Sequence, residues 1–173
     1  MDEKSAARPP AGLTRRLAAV FYDSLLALAI AFVATLAMLP LTGGEAILAS
    51  TQGALGHAHR AVLMLVLFAY FGGSWTRSGQ TLGMKAWRIQ LVSTGGAKLG
   101  WAGALGRFLL GTGMTILAVV GAWQLRKPAG ALAAAGAAAL LLPLLVNFAW
   151  IPFDGAGRSL QDVATGARVR RLP

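Results

Sequence analysis

A chain of 173 residues is long enough for one domain. With 56% hydrophobic and only 13% charged residues, it is neither a disordered chain nor a soluble globule, which would lack the charge to cover its surface. The net charge of +10 calls for anionic surroundings, and the absence of cysteine excludes disulfides, thiolate catalysis and cysteine-based zinc sites.

A bilayer fixes the length of its spans at about 20 mostly apolar residues. Residues 1–13 read as a flexible tail on the cytosolic side. The first span covers residues 16–39 and ends at Pro40. It is too long for a signal-peptide core, it carries Asp23, and no small-residue cleavage site follows. An outer loop rich in Gly, Ser and Thr covers residues 41–58, with a helical turn or two over 46–55 and with His57 and His59 as solvated side chains at its end. The second span, 57–75, is short and recruits Arg60 by snorkelling. Next, Trp87, Ile89 and Leu91 alternate with Arg88 and Gln90 at strand period, and Ser93 to Gly96 reads as a turn. Lys98 and Leu99 are candidates for a return strand. The third span covers 104–125. The fourth, 129–151, contains Pro143, which should kink it. Residues 167–170 alternate again and are a candidate partner for the strand at 89–91.

The fold expected is therefore an all-α transmembrane four-helix bundle with a small cytosolic β-element between spans 2 and 3. With four spans, thirteen basic residues fall on one side and three (Arg60, Arg126 and Lys127) on the other. The positive-inside rule then puts both termini in the cytosol. Cations dispersed at helix ends suit anionic lipid headgroups, not a nucleic acid. Small residues in the third and fourth spans (Gly100, Gly103, Gly106, Gly111, Gly113, Gly130 and Gly136) suit close helix packing within the chain or in a homo-oligomer. Trp75, Trp101, Trp123 and Trp150 fall near span ends, as an aromatic belt would.

The informative residues are the polar ones inside spans. Asp23 lies seven residues after Arg16, two turns on and on the same helix face. A charge near mid-membrane costs about 2.5–3.5 kcal/mol, and this shallower one somewhat less, so it should face the bundle and meet a donor. Arg16, Arg107 and Lys85 are the candidate partners. Two readings stand: a structural ion pair, or a carboxylate that handles a proton or cation. Asp154 and Asp162 follow the last span, Asp162 as a turn cap or a partner of a basic side chain. Asn147 suits an interhelical hydrogen bond.

Four blocks occur in order: TRRLAAVFYD at 14–23, GQTLGMKAWRI at 79–89, RFLL from Arg107, and DGAGRSLQD at 154–162. Together they resemble the RDD family of bacterial membrane proteins, named for one arginine and two aspartates. The resemblance implies that Arg16, Asp23 and Asp162 are the eponymous residues, with Asp154 a further motif position. It also implies a multi-pass protein of the bacterial inner membrane, and transport of unidentified ions or solutes as its activity. Met84 between Gly83 and Lys85 departs from the family pattern.

No enzyme is expected. Two histidines without a third ligand make a poor metal site, and no nucleophile and base fall together on one side. The glycines near Gly79 lack the ending of a phosphate loop. No cofactor is expected, and no nucleic acid. Two functions remain: a small transport protein working as an oligomer around Asp23, or an accessory membrane protein that binds a partner or anionic lipid through its basic cytosolic face.

Overall fold

The computed structural model describes residues 8–44, 53–128 and 130–173. The first apolar run forms helix α1, Leu13–Met38. Pro40 then tightens the chain into a 3₁₀ turn, Leu39–Thr42, which Gly43 closes in the left-handed region. Helix α2 spans Gly53–Arg77. It starts four residues earlier than the expected 57, and His59, expected as a solvated side chain, is buried on it; of the expected outer loop, residues 45–52 lie outside the described residues.

A sharp turn at Gly79 follows. Its φ is +71°, and a Cβ there would press on the Leu91 carbonyl, so both conformation and space call for glycine. Thr81 then caps the short helix α3, Leu82–Ala86, by accepting from the Met84 amide. Arg88, at φ +51°, turns the chain out of α3 into strand β1, Ile89–Ser93. Helix α4 runs over Trp101–Gln124.

The last apolar run is broken. Helices α5, Ala131–Ala139, and α6, Leu142–Ala149, meet at 44°, and Pro143 sits in the first turn of α6. Proline has no N–H and crowds the preceding turn, so it serves better as a helix start than as an interior residue. Among the described residues, three unbroken helices are long and apolar enough to cross a membrane, and there are four spans if the bent pair counts as one. A final short helix α7, Leu160–Ala164, leads to strand β2, Ala167–Arg171.

Strands β1 and β2 pair antiparallel, with Ile89 opposite Arg171 and Ser93 opposite Ala167. The β-element is therefore not local to one loop: one strand follows α2, and the other comes after the last apolar helices. Lys98 and Leu99, the alternative return strand, are not in a strand. Residues 9–11, expected as part of a flexible tail, lie along the free edge of β2. The Ala11 amide donates to the Val169 carbonyl, and the Arg171 amide donates to the Pro9 carbonyl.

The buried apolar core sits at this sheet end. Ile89, Leu91, Ala167, Val169 and Ala11 pack with Leu99, Ala104, Phe108 and Trp75. Past Asp23, by contrast, no residue of α1 is buried, and α2 and α4 bury few. Leu28, Phe32, Leu65 and Val119 stand open. A soluble chain could not tolerate this apolar exterior, whereas lipid is its natural solvent. Of the expected belt, Trp101, Trp123 and Trp150 are exposed, but Trp75 is buried under Arg107. Close packing at glycine is real at Gly111, against Gln161, while Gly113, Gly130 and Gly136 face open space.

Candidate functional site

Two buried carboxylates organise the sheet end, and their partners differ in kind. Asp162, on α7, is fully buried. Arg16 of α1 donates through Nη1 to its Oδ2 at 2.5 Å, and Arg107 of α4 donates through Nη1 to its Oδ1 at 2.6 Å. The Ser159 amide also donates to Oδ2, while the Ser159 hydroxyl accepts from the Asp162 amide, a reciprocal cap that starts α7. Burial by itself would raise the carboxyl pKa, but Arg107 and then Arg16 outweigh it and hold the group below its ordinary value. Arg16 spends its other donors on the carbonyls of Ala11 at 3.0 Å and Gly157 at 2.7 Å. Arg107 lies over the Trp75 ring, 5.7 Å from its centroid.

Neighbouring polar groups complete this knot. Asn147, buried on α6, accepts from the Gln161 amide at 2.8 Å, and the Gln161 side chain donates to the Arg107 carbonyl. The interhelical hydrogen bond expected of Asn147 thus goes to the start of α7. Asp154 closes the preceding loop on itself. It accepts from the Arg158 guanidinium at 3.0 and 3.1 Å and from the Arg158 amide at 2.8 Å, which lowers its pKa to about 2.

Asp23 stands apart. The expected ion pair with Arg16 does not form, because Arg16 and Arg107 both turn to Asp162. Arg16 sits in the first turn of α1, at the level where α7 and the sheet dock, whereas Asp23 lies two turns deeper and meets α3 instead. The Thr81 hydroxyl donates to Asp23 Oδ2 at 2.5 Å, and the Gly83 amide donates to Oδ1 at 2.9 Å. The Tyr70 hydroxyl of α2 stands beside the same carboxyl and accepts from the Leu82 amide at 3.1 Å. Among the described residues no lysine or arginine reaches salt-bridge distance of Asp23. Lys85, the third candidate partner, is exposed on α3 and lines a groove beside it.

The close approach of α3 to α1 depends on Gly83. A Cβ there would overlap the Ala19 carbonyl and the Asp23 carboxyl. Thr81 therefore does two jobs with one hydroxyl, capping α3 through its lone pairs and binding Asp23 through its proton. Sequence reasoning placed Thr81 and Gly83 in a family-like block and did not connect them with Asp23, 58 residues from Thr81. It also missed His59, which is buried on α2 with Nε2 3.0 Å from the Thr35 hydroxyl of α1.

No group of three or more metal-ligating side chains occurs among the described residues. Long apolar helices, bare along their length and knotted at one end by buried arginine–aspartate contacts, define an α-helical membrane-type domain. The chain belongs to the RDD family, whose sequence model matches residues 10–166. No curated protein and no solved structure matches it.

Proposed function

We propose that the chain is a small, non-catalytic transport protein of the bacterial inner membrane in which Asp23 takes up and releases a proton or a small cation. One observation carries this reading. Asp23 is a buried carboxyl on an apolar helix, and neutral donors alone hold it: a hydroxyl and a backbone amide. Such a group can change its charge without breaking an ion pair. Asp162, gripped by two guanidinium groups, cannot. The division of labour is then physical: Asp162 holds the fold, and Asp23 exchanges the ion. In this reading the chain is multi-pass, and the sheet end and both termini face the cytosol, where thirteen of the sixteen basic residues would lie. The apolar flanks pack against lipid and further copies of the chain.

The test is flux across proteoliposomes under an imposed pH gradient, with sodium, lithium and potassium offered in turn. The wild type should move protons against at least one cation. Asp23→Asn should abolish the movement, and Asp154→Asn should not. Equal flux from Asp23→Asn and wild type would overturn the reading, as would wild-type flux no greater than that of empty vesicles.

A second reading draws on the concentration of arginine at the sheet end, where Arg8, Arg88, Arg168, Arg170 and Arg171 cluster in sequence or across the strands. There the chain is an accessory protein held to anionic headgroups or to a partner by its basic face.

A further inference from the structure

A groove of about 500 Å³ opens between the end of α2 and helix α3. Arg77, in the last turn of α2, and Lys85, in α3, stand on its walls, and Ser74 adds a hydroxyl. Both cations are exposed, and neither makes an ion pair among the described residues. No acid lines the groove. Two unneutralised cations and a hydroxyl around one opening are the chemistry that recognises a phosphate group.

Ser78, Gln80 and Tyr70 add polar groups to the lining, and its apolar side tells which phosphate. Gly73 and Leu82 line the groove, and Leu82 is largely exposed. Ala61, Leu65 and Ala69 precede Gly73 at four-residue spacing and form an exposed ridge along α2 toward the middle of the span. A phosphate seated between Arg77 and Lys85 would therefore have a hydrocarbon-compatible track leading away from it along the membrane normal. A free anion has no use for that track, whereas an acyl chain does.

We propose that this groove binds the phosphate of an anionic phospholipid, with Arg77 and Lys85 on the headgroup and the ridge above Gly73 against an acyl chain. This deepens the reading of a basic headgroup-facing end into one defined cleft, and it is independent of whether the chain transports anything.

Gly73 supplies a clean test. Gly73 is buried, but a Cβ there would meet no atom within 4 Å, so Gly73→Ala adds a methyl group at the groove without crowding the fold and improves helix propensity. The measurement is native mass spectrometry of the full chain released from nanodiscs holding phosphatidylglycerol and phosphatidylcholine in equal parts, with detergent melting as the check on folding. Wild type should retain phosphatidylglycerol preferentially. Arg77→Gln with Lys85→Gln should lower that retention about 30-fold, the loss of two basic side chains at a membrane surface. Gly73→Ala should lower it severalfold while melting no lower than wild type, and Arg88→Gln with Arg168→Gln should change it little. If the Arg88 and Arg168 pair matters and the groove variants do not, the cleft is wrong and the diffuse basic face stands. If phosphatidylglycerol is not preferred at all, both fall. Inorganic phosphate added in excess separates the two sources: displacement of the lipid by it would overturn the assignment to a headgroup.

Discussion

Replacing Asp162 by asparagine is the sharpest perturbation available to this fold. The side chain keeps its size, and the Ser159 cap can persist, but the one negative charge between Arg16 and Arg107 is gone. Charges about 4 Å apart interact by about 4 kcal/mol at an effective dielectric near 20, so two attractions of that order disappear and the arginine–arginine repulsion is left uncompensated. Relief from burying a carboxylate offsets part of this, and breaking a buried pair from one side leaves a net cost of about 3–5 kcal/mol. Arg107→Leu should cost less, about 1.5–3 kcal/mol for one charged hydrogen bond, because it leaves Asp162 matched one-to-one by Arg16. Arg16→Leu should fall between them: the charge balance survives, but the Ala11 and Gly157 carbonyls also lose a donor. The assay is reversible unfolding in mixed detergent and dodecyl sulfate micelles, followed by far-ultraviolet circular dichroism. If Arg107→Leu proves as costly as Asp162→Asn, charge balance does not govern the knot and the argument fails.

Other outcomes are open to measurement. Asp154 titrates at about 2 when folded, against an ordinary 3.8, so its pair with Arg158 contributes in full above 3.8 and is lost as the pH falls through about 2. Stability followed against pH should therefore fall less steeply in that window for Asp154→Asn than for wild type, and parallel curves would refute the pairing. Asp162, also lowered, contributes in the same direction, its stabilisation lost only as acid overcomes both arginines. Thr81→Ala removes a cap worth about 1 kcal/mol and a bond to a carboxylate worth about 1.5–3 kcal/mol, whereas Thr81→Ser restores both. Equal melting of the alanine and serine variants would show that the hydroxyl is idle.

The architecture was legible in the sequence wherever one run of residues decides it. Apolar length gave the helices, Pro143 gave the break, and the alternation at Ile89 to Leu91 gave β1. The stretch after Ala167 was one of two candidate partners for β1, beside Lys98 and Leu99, and strand period alone did not choose between them. What could not be read was which arginine meets which aspartate. Helical spacing puts Arg16 and Asp23 on one face, but it says nothing of α3 and α7, which dock against that face from far along the chain. Two competitors were invisible for that reason. Asp162 outbids Asp23 for Arg16 because it also offers an oxygen to Arg107, and Gly83 lets a backbone amide reach Asp23 where any side chain would block it. His59 was read as solvated because its partner, the Thr35 hydroxyl, lies on another helix 24 residues away.

The Arg16 latch joins residues separated by 146 positions. A ribosome makes α1 first, so its guanidinium must wait in water or among headgroups until nearly all the rest of the polypeptide has been inserted. Only the late arrival of Asp162 gives it a counter-charge, and only then can residues 9–11 settle along β2. The knot thus closes only once α7 has been made. A nascent product that stalls before α7 leaves Arg16 and Arg107 without the carboxylate they share.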